Sequence, residues 1–255
     1  MVIFPFKKFI FSLLQILSEL FYNTFEFFSS LKYIKKYFKE IVLQIYEIGH
    51  NSLLLVVFTS SFVGMVATIQ TAYQIRDYVP VIYIGSGVAK AVMIELGPVI
   101  TGLVAAGRIS SGIAAELGTM VVTEQIDALR VMGINPFRFL VMPRVLAGII
   151  SLPLLTSIAD AIAIFSGMFI ANITGIANYI VFTRGARMFF LPKDLIGGLI
   201  KAAFFGYALT FSGALSGLSS EKGAEGVGKA ATRAVVLSSI LILLLDYILG
   251  IIIFG

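Results

Sequence analysis

Residues 223–233 read GAEGVGKAATR. Gly223, Gly228 and Lys229 fall at the spacing of the phosphate-cradling loop GxxxxGK[ST]. If that reading held, the chain would be a nucleotide-binding domain, because such a loop needs a strand before it and a helix built on a sheet behind it. Two features reject it. Where the loop needs a hydroxyl for Mg²⁺ stands Ala230. The flanks are LTFSGALSGL, rich in small residues, at 209–218, and the apolar run AVVLSSILILLLDYILGIIIF at 234–254. The match therefore sits in a short connection between two membrane spans. Its glycines read as a tight reversal, and Lys229 and Arg233 as a basic anchor at the membrane edge. The fold is an all-α membrane protein that carries no visible ATPase of its own.

Composition agrees. Hydrophobic residues make up 58% of the 255 positions and charged residues 13%. A soluble domain carries roughly a quarter charged residues and could not hide that much apolar surface in one core. There is no cysteine, which removes disulfides, thiol nucleophiles and cysteine metal clusters. The single histidine, His50, removes any two-histidine metal site. The net charge of +5 is spread thinly along the chain, so nucleic acid is not an expected partner. Basic residues here report topology instead.

Five spans are expected near 52–73, 87–108, 145–172, 195–218 and 234–254, each long enough for a ~30 Å hydrocarbon layer. Pro153 predicts a kink in the third. Residues 1–50 form amphipathic membrane-interface helices, and 51–255 the five-span unit. Ser12, Gln15, Glu19, Asn23, Glu26 and Ser30 give 9–31 one polar stripe, which suits lying in the membrane surface; spanning it is the alternative. Lys32, Lys35, Lys36 and Lys39 then face anionic headgroups, opposite Ile34, Phe38, Ile41 and Ile45. The segment 173–194 gives no signal beyond a surface loop or short helices. With the N-terminus in the cytoplasm, basic residues favour the inside about two to one. No transit peptide is visible, which points to a bacterial inner membrane.

The connection between spans two and three has helix logic of its own. In TEQIDALRVMGINP, residues 123–136, Thr123 can cap the N-terminus. Glu124 and Asp127 complement the positive dipole end, and Arg130 the negative end. Gly133 and Pro136 stop the helix. A short helix over about 124–132 therefore stands in the cytoplasmic loop. A bare connector is the plain reading; a handle for a separate motor is the functional one.

Residues 95–148, ELGPVITGLVAAGRISSGIAAELGTMVVTEQIDALRVMGINPFRFLVMPRVLAG, resemble the signature region of MlaE-type ABC permeases. The tail GVGKAATRAVVLSSILILLLDYILG at 226–250 is similar to the end of that family. The resemblance implies interfacial (elbow) helices before five spans, a homodimer, two cytoplasmic ABC ATPases that bind the ATP and Mg, an MCE-domain partner on the far side, a small cytoplasmic STAS-type regulator, and phospholipid as cargo. It makes 124–132 a coupling helix that meets the ATPase through Glu124, Gln125, Asp127, Leu129 and Arg130. It also aligns Gln74, Ile75, Tyr78, Glu95 and Lys201 with the walls of a lipid cavity. No cofactor is expected in this chain, and catalysis belongs to the partner. One departure is Ile94, where family members carry Arg before the Glu.

Charge inside the spans reads equally as structure or as the polar floor of a lipid pocket, and the resemblance favours the second. Glu95 lies about eight residues into span two, ~12 Å deep, and Lys201 at a similar depth in span four. Their plain reading is a structural pair or snorkelling of Lys201 to the interface. Asp160 and Asp246 read as interhelical hydrogen-bond formers. Gly102, Ala106, Ser110, Ala114 and Gly118 recur every four residues as a small-residue ridge, expected to pack within the subunit. The leading function is an ABC-type phospholipid permease subunit. The alternatives are a secondary transporter or channel driven by an ion gradient, for which no internal repeat is found, and an intramembrane enzyme. The enzyme would need a serine paired with a base such as His; His50 lies before the first span, and Ser110 and Ser111 lie at the cytoplasmic end of the second.

Overall fold

The computed structural model describes residues 24–75 and 78–255, and every regular element among them is helical. In chain order they are α1 (residues 24–30), α2 (Phe38–Ile75), α3 (Ile82–Val122), α4 (Gln125–Val131), α5 (Phe137–Ile173), α6 (Tyr179–Met188), α7 (Pro192–Leu218) and α8 (Ala224–Phe254). Five of these, α2, α3, α5, α7 and α8, are long and apolar enough to cross a membrane. The expected five spans are all present.

Their ends differ from the hydropathy reading. Every span starts earlier than expected: at 38, 82, 137, 192 and 224. Apolarity marks only the lipid-bathed part of a helix, whereas helical backbone continues until the chain meets a stop. Those stops are visible. Asn135 accepts backbone N–H bonds from Phe137 (2.9 Å) and Arg138 (3.2 Å) through its side-chain oxygen, so Asn135-Pro136 opens α5 as a cap followed by a first-turn proline. Pro192 opens α7 in the same first-turn role. The reversal before α8 takes only residues 219–223 and ends on Gly223, at φ +90°. Gly226, Gly228 and Lys229 are already helical, and Lys229 pairs with Glu225 one turn back at 2.9 Å. The phosphate-loop match thus lies in the first turns of a span.

Helix α2 packs heavily on α5, α7 on α8 and α5 on α7, and α3 lies just as extensively against α7 and α8. The small-residue ridge of α3 makes that last contact. Ser110 shares a 2.8 Å hydroxyl hydrogen bond with Ser238 of α8, and Gly213 and Gly217 of α7 face Ser110 and Ala114. The ridge packs within the subunit, as expected. Other buried hydroxyls return to their own helix, as Thr68 to the Gly64 carbonyl (2.9 Å) and Thr210 to that of Gly206 (2.6 Å). Such back-bonding satisfies a hydroxyl in an apolar surrounding; Thr156, fully buried in α5, has no partner among the described residues.

The sequence reading of 9–31 falls mostly on residues outside those described. Of the described part, α1 docks on α7: Thr24 hydrogen-bonds Tyr207 at 2.8 Å, and the rings of Phe27 and Tyr207 meet edge to face at 5.7 Å. Lys32, Lys35, Lys36 and Lys39 are all exposed. Residues 38–50, read as a separate amphipathic stretch, are the first third of the continuous α2. The uninformative 173–194 contains α6, whose N-cap Asn178 accepts from the Val181 N–H at 2.8 Å.

Candidate functional site

Glu95 sits in α3 within a π-helical turn, Val92–Leu96. A π turn inserts one residue per turn and so changes the direction in which the following side chains point; such turns concentrate at working sites. Because α3 begins at Ile82, Glu95 lies thirteen residues in, deeper along the helix than the sequence reading placed it. Lys201 approaches from α7. Its ammonium donates to Glu95 Oε2 at 2.7 Å and to Asp246 Oδ1 of α8 at 2.8 Å. Three helices are thereby tied at one point by a carboxylate–ammonium–carboxylate triad.

Exposure within the triad is uneven. The Lys201 side chain is 1% exposed and that of Asp246 14%, whereas that of Glu95 is 48% exposed. Phe254 closes the site on the α8 side, with the Lys201 ammonium 5.6 Å from its ring centre. A buried ammonium between two carboxylates satisfies the rule that charge at membrane depth is paired. Two carboxylates against one ammonium leave a formal surplus of one negative charge.

The expected cavity residues fall into two groups. Glu95 and Lys201 are in direct contact. Gln74 and Tyr78 stand exposed at the end of α2 and in the connection to α3, with no hydrogen bond to the triad among the described residues, and Ile75 packs inward beside Ala72, Ile84 and Val88. Asp246 was read only as a hydrogen-bond former; the structure makes it the third member of the charged cluster. It lies 45 residues from Lys201 on another helix, and only helix packing brings the two together.

Asp160 corrects the reading made of it. It is 4% exposed, in the middle of α5, and makes no hydrogen bond among the described residues. Its Oδ1 lies where a Cβ on Gly97 would stand, so the absence of a side chain at 97 gives it room. Among the described residues no partner helix offers it a donor.

Helix α4 stands where the loop helix was expected, with one change at its start. Glu124, not Thr123, is the N-cap, and it takes the left-handed region at φ 59°. Thr123 instead donates its hydroxyl to the Thr119 carbonyl, finishing α3, and accepts from Gln125 Nε2 at 3.0 Å. Gly133, at φ +74°, closes α4: its N–H bonds the Arg130 carbonyl (3.0 Å) and that of Ile134 the Leu129 carbonyl (2.9 Å). Asp127 and Arg130 pair at 3.0 Å, both well exposed. Ile126 is buried and Leu129 half-buried, so the helix rests on the bundle by one face. Its outer face presents Val131, 88% exposed, and Met132, 64% exposed. Sequence reasoning missed that apolar pair, although VM directly before a helix-ending glycine was its signal. A hollow of about 550 Å³ opens beside α4, lined by Glu26, Ile126, Arg130, Gly133 and the start of α5.

Neither Ser110 nor Ser111 hydrogen-bonds His50. Ser110 is tied to Ser238, Ser111 to the Gly107 carbonyl, and the ring of His50 stacks on Tyr46 at 5.1 Å.

Comparison with known proteins places this architecture. The family model of Permease MlaE matches residues 41–252. A Rickettsia prowazekii protein named "Probable ABC transporter permease protein RP096" is 39% identical over 230 residues, 89% of each chain. The Haemophilus influenzae intermembrane phospholipid transport system permease protein MlaE is 35% identical over 223 residues, 87% of this chain and 85% of that one. The chloroplastic protein trigalactosyldiacylglycerol 1 of Arabidopsis thaliana is 36% identical over 217 residues, 85% of this chain and 62% of that one.

Proposed function

This chain belongs to the MlaE permease family, and on that footing we propose that it is the membrane subunit of an ABC-type phospholipid transporter. Two copies would enclose an apolar cavity for acyl chains, with Glu95 at its polar floor and Gln74, Ile75 and Tyr78 nearer its mouth. A separate cytoplasmic ATPase drives the cycle, and an MCE-domain protein exchanges lipid on the opposite side. A small STAS-type protein regulates the ATPase. The membrane is the bacterial inner membrane, with the N-terminus in the cytoplasm.

The observation that carries this reading is the half-exposed Glu95, held among apolar spans by a buried Lys201–Asp246 pair. Apolar walls suit acyl chains because they leave no polar group unpaired, and one fixed polar contact suits a headgroup. On the cytoplasmic side α4 offers the ATPase a lever anchored by Ile126, with Glu124, Gln125, Asp127, Leu129 and Arg130 at the contact and Val131 and Met132 at its tip. Buried apolar residues ringed by charge are the usual composition of such a contact.

The test is reconstitution with the ATPase and the MCE partner. ATP-dependent transfer of labelled phospholipid between vesicles is expected, and Val131→Asp with Met132→Asp should abolish it while leaving the purified permease folded. Transfer that follows an ion gradient without ATP would instead support the secondary transporter.

A further inference from the structure

We infer that Glu95 makes this site selective for phospholipids whose headgroup carries an amine, as in phosphoethanolamine, over purely anionic headgroups such as phosphoglycerol. The inference rests on the lipid-permease reading above and names the chemistry of its polar floor.

A lysine in a lipid cavity is ordinarily read as a phosphate binder. Here that role is closed. Lys201 is 1% exposed, and its ammonium is already bonded to two carboxylate oxygens at 2.7 and 2.8 Å. An ammonium has three N–H donors; Glu95 and Asp246 take two, and Phe254 lies within 5.6 Å of the nitrogen. A ligand entering from the exposed side meets the Glu95 carboxylate, not the lysine. The formal surplus of the triad is one negative charge, and Glu95 is its member with substantial exposure.

Among the described residues, the nearest basic side chains are already engaged. The neighbour of Glu95 on the π turn is Ile94, half-buried and uncharged. Lys90, one turn earlier on α3, is paired with Asp194 at 3.3 Å. On α7 the next basic residue outward is Lys193, eight positions or about 12 Å along the helix from Lys201, over the ring of Phe254. A phosphate placed at Glu95 therefore faces a charge cluster with a formal surplus of one negative charge, in a setting where water screens it less than in bulk. An amine at the same place donates charge-assisted hydrogen bonds. Selection then comes from repulsion of the wrong headgroup as much as from attraction of the right one.

The experiment uses full-length protein in detergent, equilibrated with equimolar phosphatidylethanolamine and phosphatidylglycerol of identical acyl chains. Bound lipid is then quantified by mass spectrometry. The expected wild-type result is about threefold or greater enrichment of phosphatidylethanolamine, the size of one partly screened charge contact. Glu95→Gln should return the ratio to that of the mixture. Ile94→Arg, which adds a cation beside an intact triad, should shift it toward phosphatidylglycerol, and it tests the idea even if Glu95→Gln does not fold. Bound phospholipid with no headgroup bias in the wild type overturns the selectivity and leaves the lipid-permease reading standing. Wild type that binds no phospholipid above a detergent blank overturns both.

Discussion

Two carboxylates lie deep in this bundle, and the structure treats them oppositely. Asp246 in α8 meets a buried ammonium at 2.8 Å, and that ammonium reaches on to Glu95. Asp160 in α5 has no hydrogen-bond partner among the described residues and owes its space to the missing side chain of Gly97. The two share one chain segment, because Glu95 and Gly97 are two residues apart on α3. Depth alone therefore does not tell what an intramembrane carboxylate does; its partners do. A paired carboxylate ties helices together and fixes a charge in place. An unpaired one is held only by the shape of the helices around it.

Five single substitutions and one double variant probe that contrast. Lys201→Met should have the largest effect, leaving two carboxylates facing each other without a cation. A loss of about 3–5 kcal/mol in unfolding free energy is expected, measured by denaturant titration in mixed micelles. A loss under 1 kcal/mol would mean that the triad does not bind the helices. Next comes Gly97→Ala, which drives a methyl onto the Asp160 carboxylate. It should cost about 1–3 kcal/mol, and the double variant Gly97→Ala with Asp160→Ala should recover most of it. Failure to recover would place the clash elsewhere. Asp246→Asn keeps an acceptor for Lys201 but removes its charge, so about 1 kcal/mol should be lost. Glu95→Gln should lose less in the same titration, because Glu95 is the more exposed partner. Smallest of all, Asp160→Asn should stay within about 1 kcal/mol of wild type, since no bond is broken. A loss as large as that of Lys201→Met would reveal a partner supplied by the assembled transporter.

How far the sequence led can be judged residue by residue. The five spans were readable because lipid forces roughly twenty apolar residues into every crossing. Their starts were not, because helix continues past the apolar window until Asn135-Pro136, Pro192 or Gly223 stops it. Helix α4 was readable from Gly133 and from the charges of Asp127 and Arg130, since capping and dipole effects act within one turn. Its cap was misassigned by one residue, because the left-handed turn at Glu124 depends on how α3 ends. Glu95 and Lys201 stood out as charges at similar depth. Nothing in the sequence said that Asp246 would join them and Asp160 would not.

The sequence by itself determined the solvent, the number of crossings and the helical lever between the second and third spans. Those follow from hydropathy and local backbone chemistry, which are properties of neighbouring residues. Only the tertiary structure decided which buried charges meet. Rotation of each helix about its axis, shifted in α3 by the π turn at Val92–Leu96, is set by side-chain packing between helices and not by any one segment.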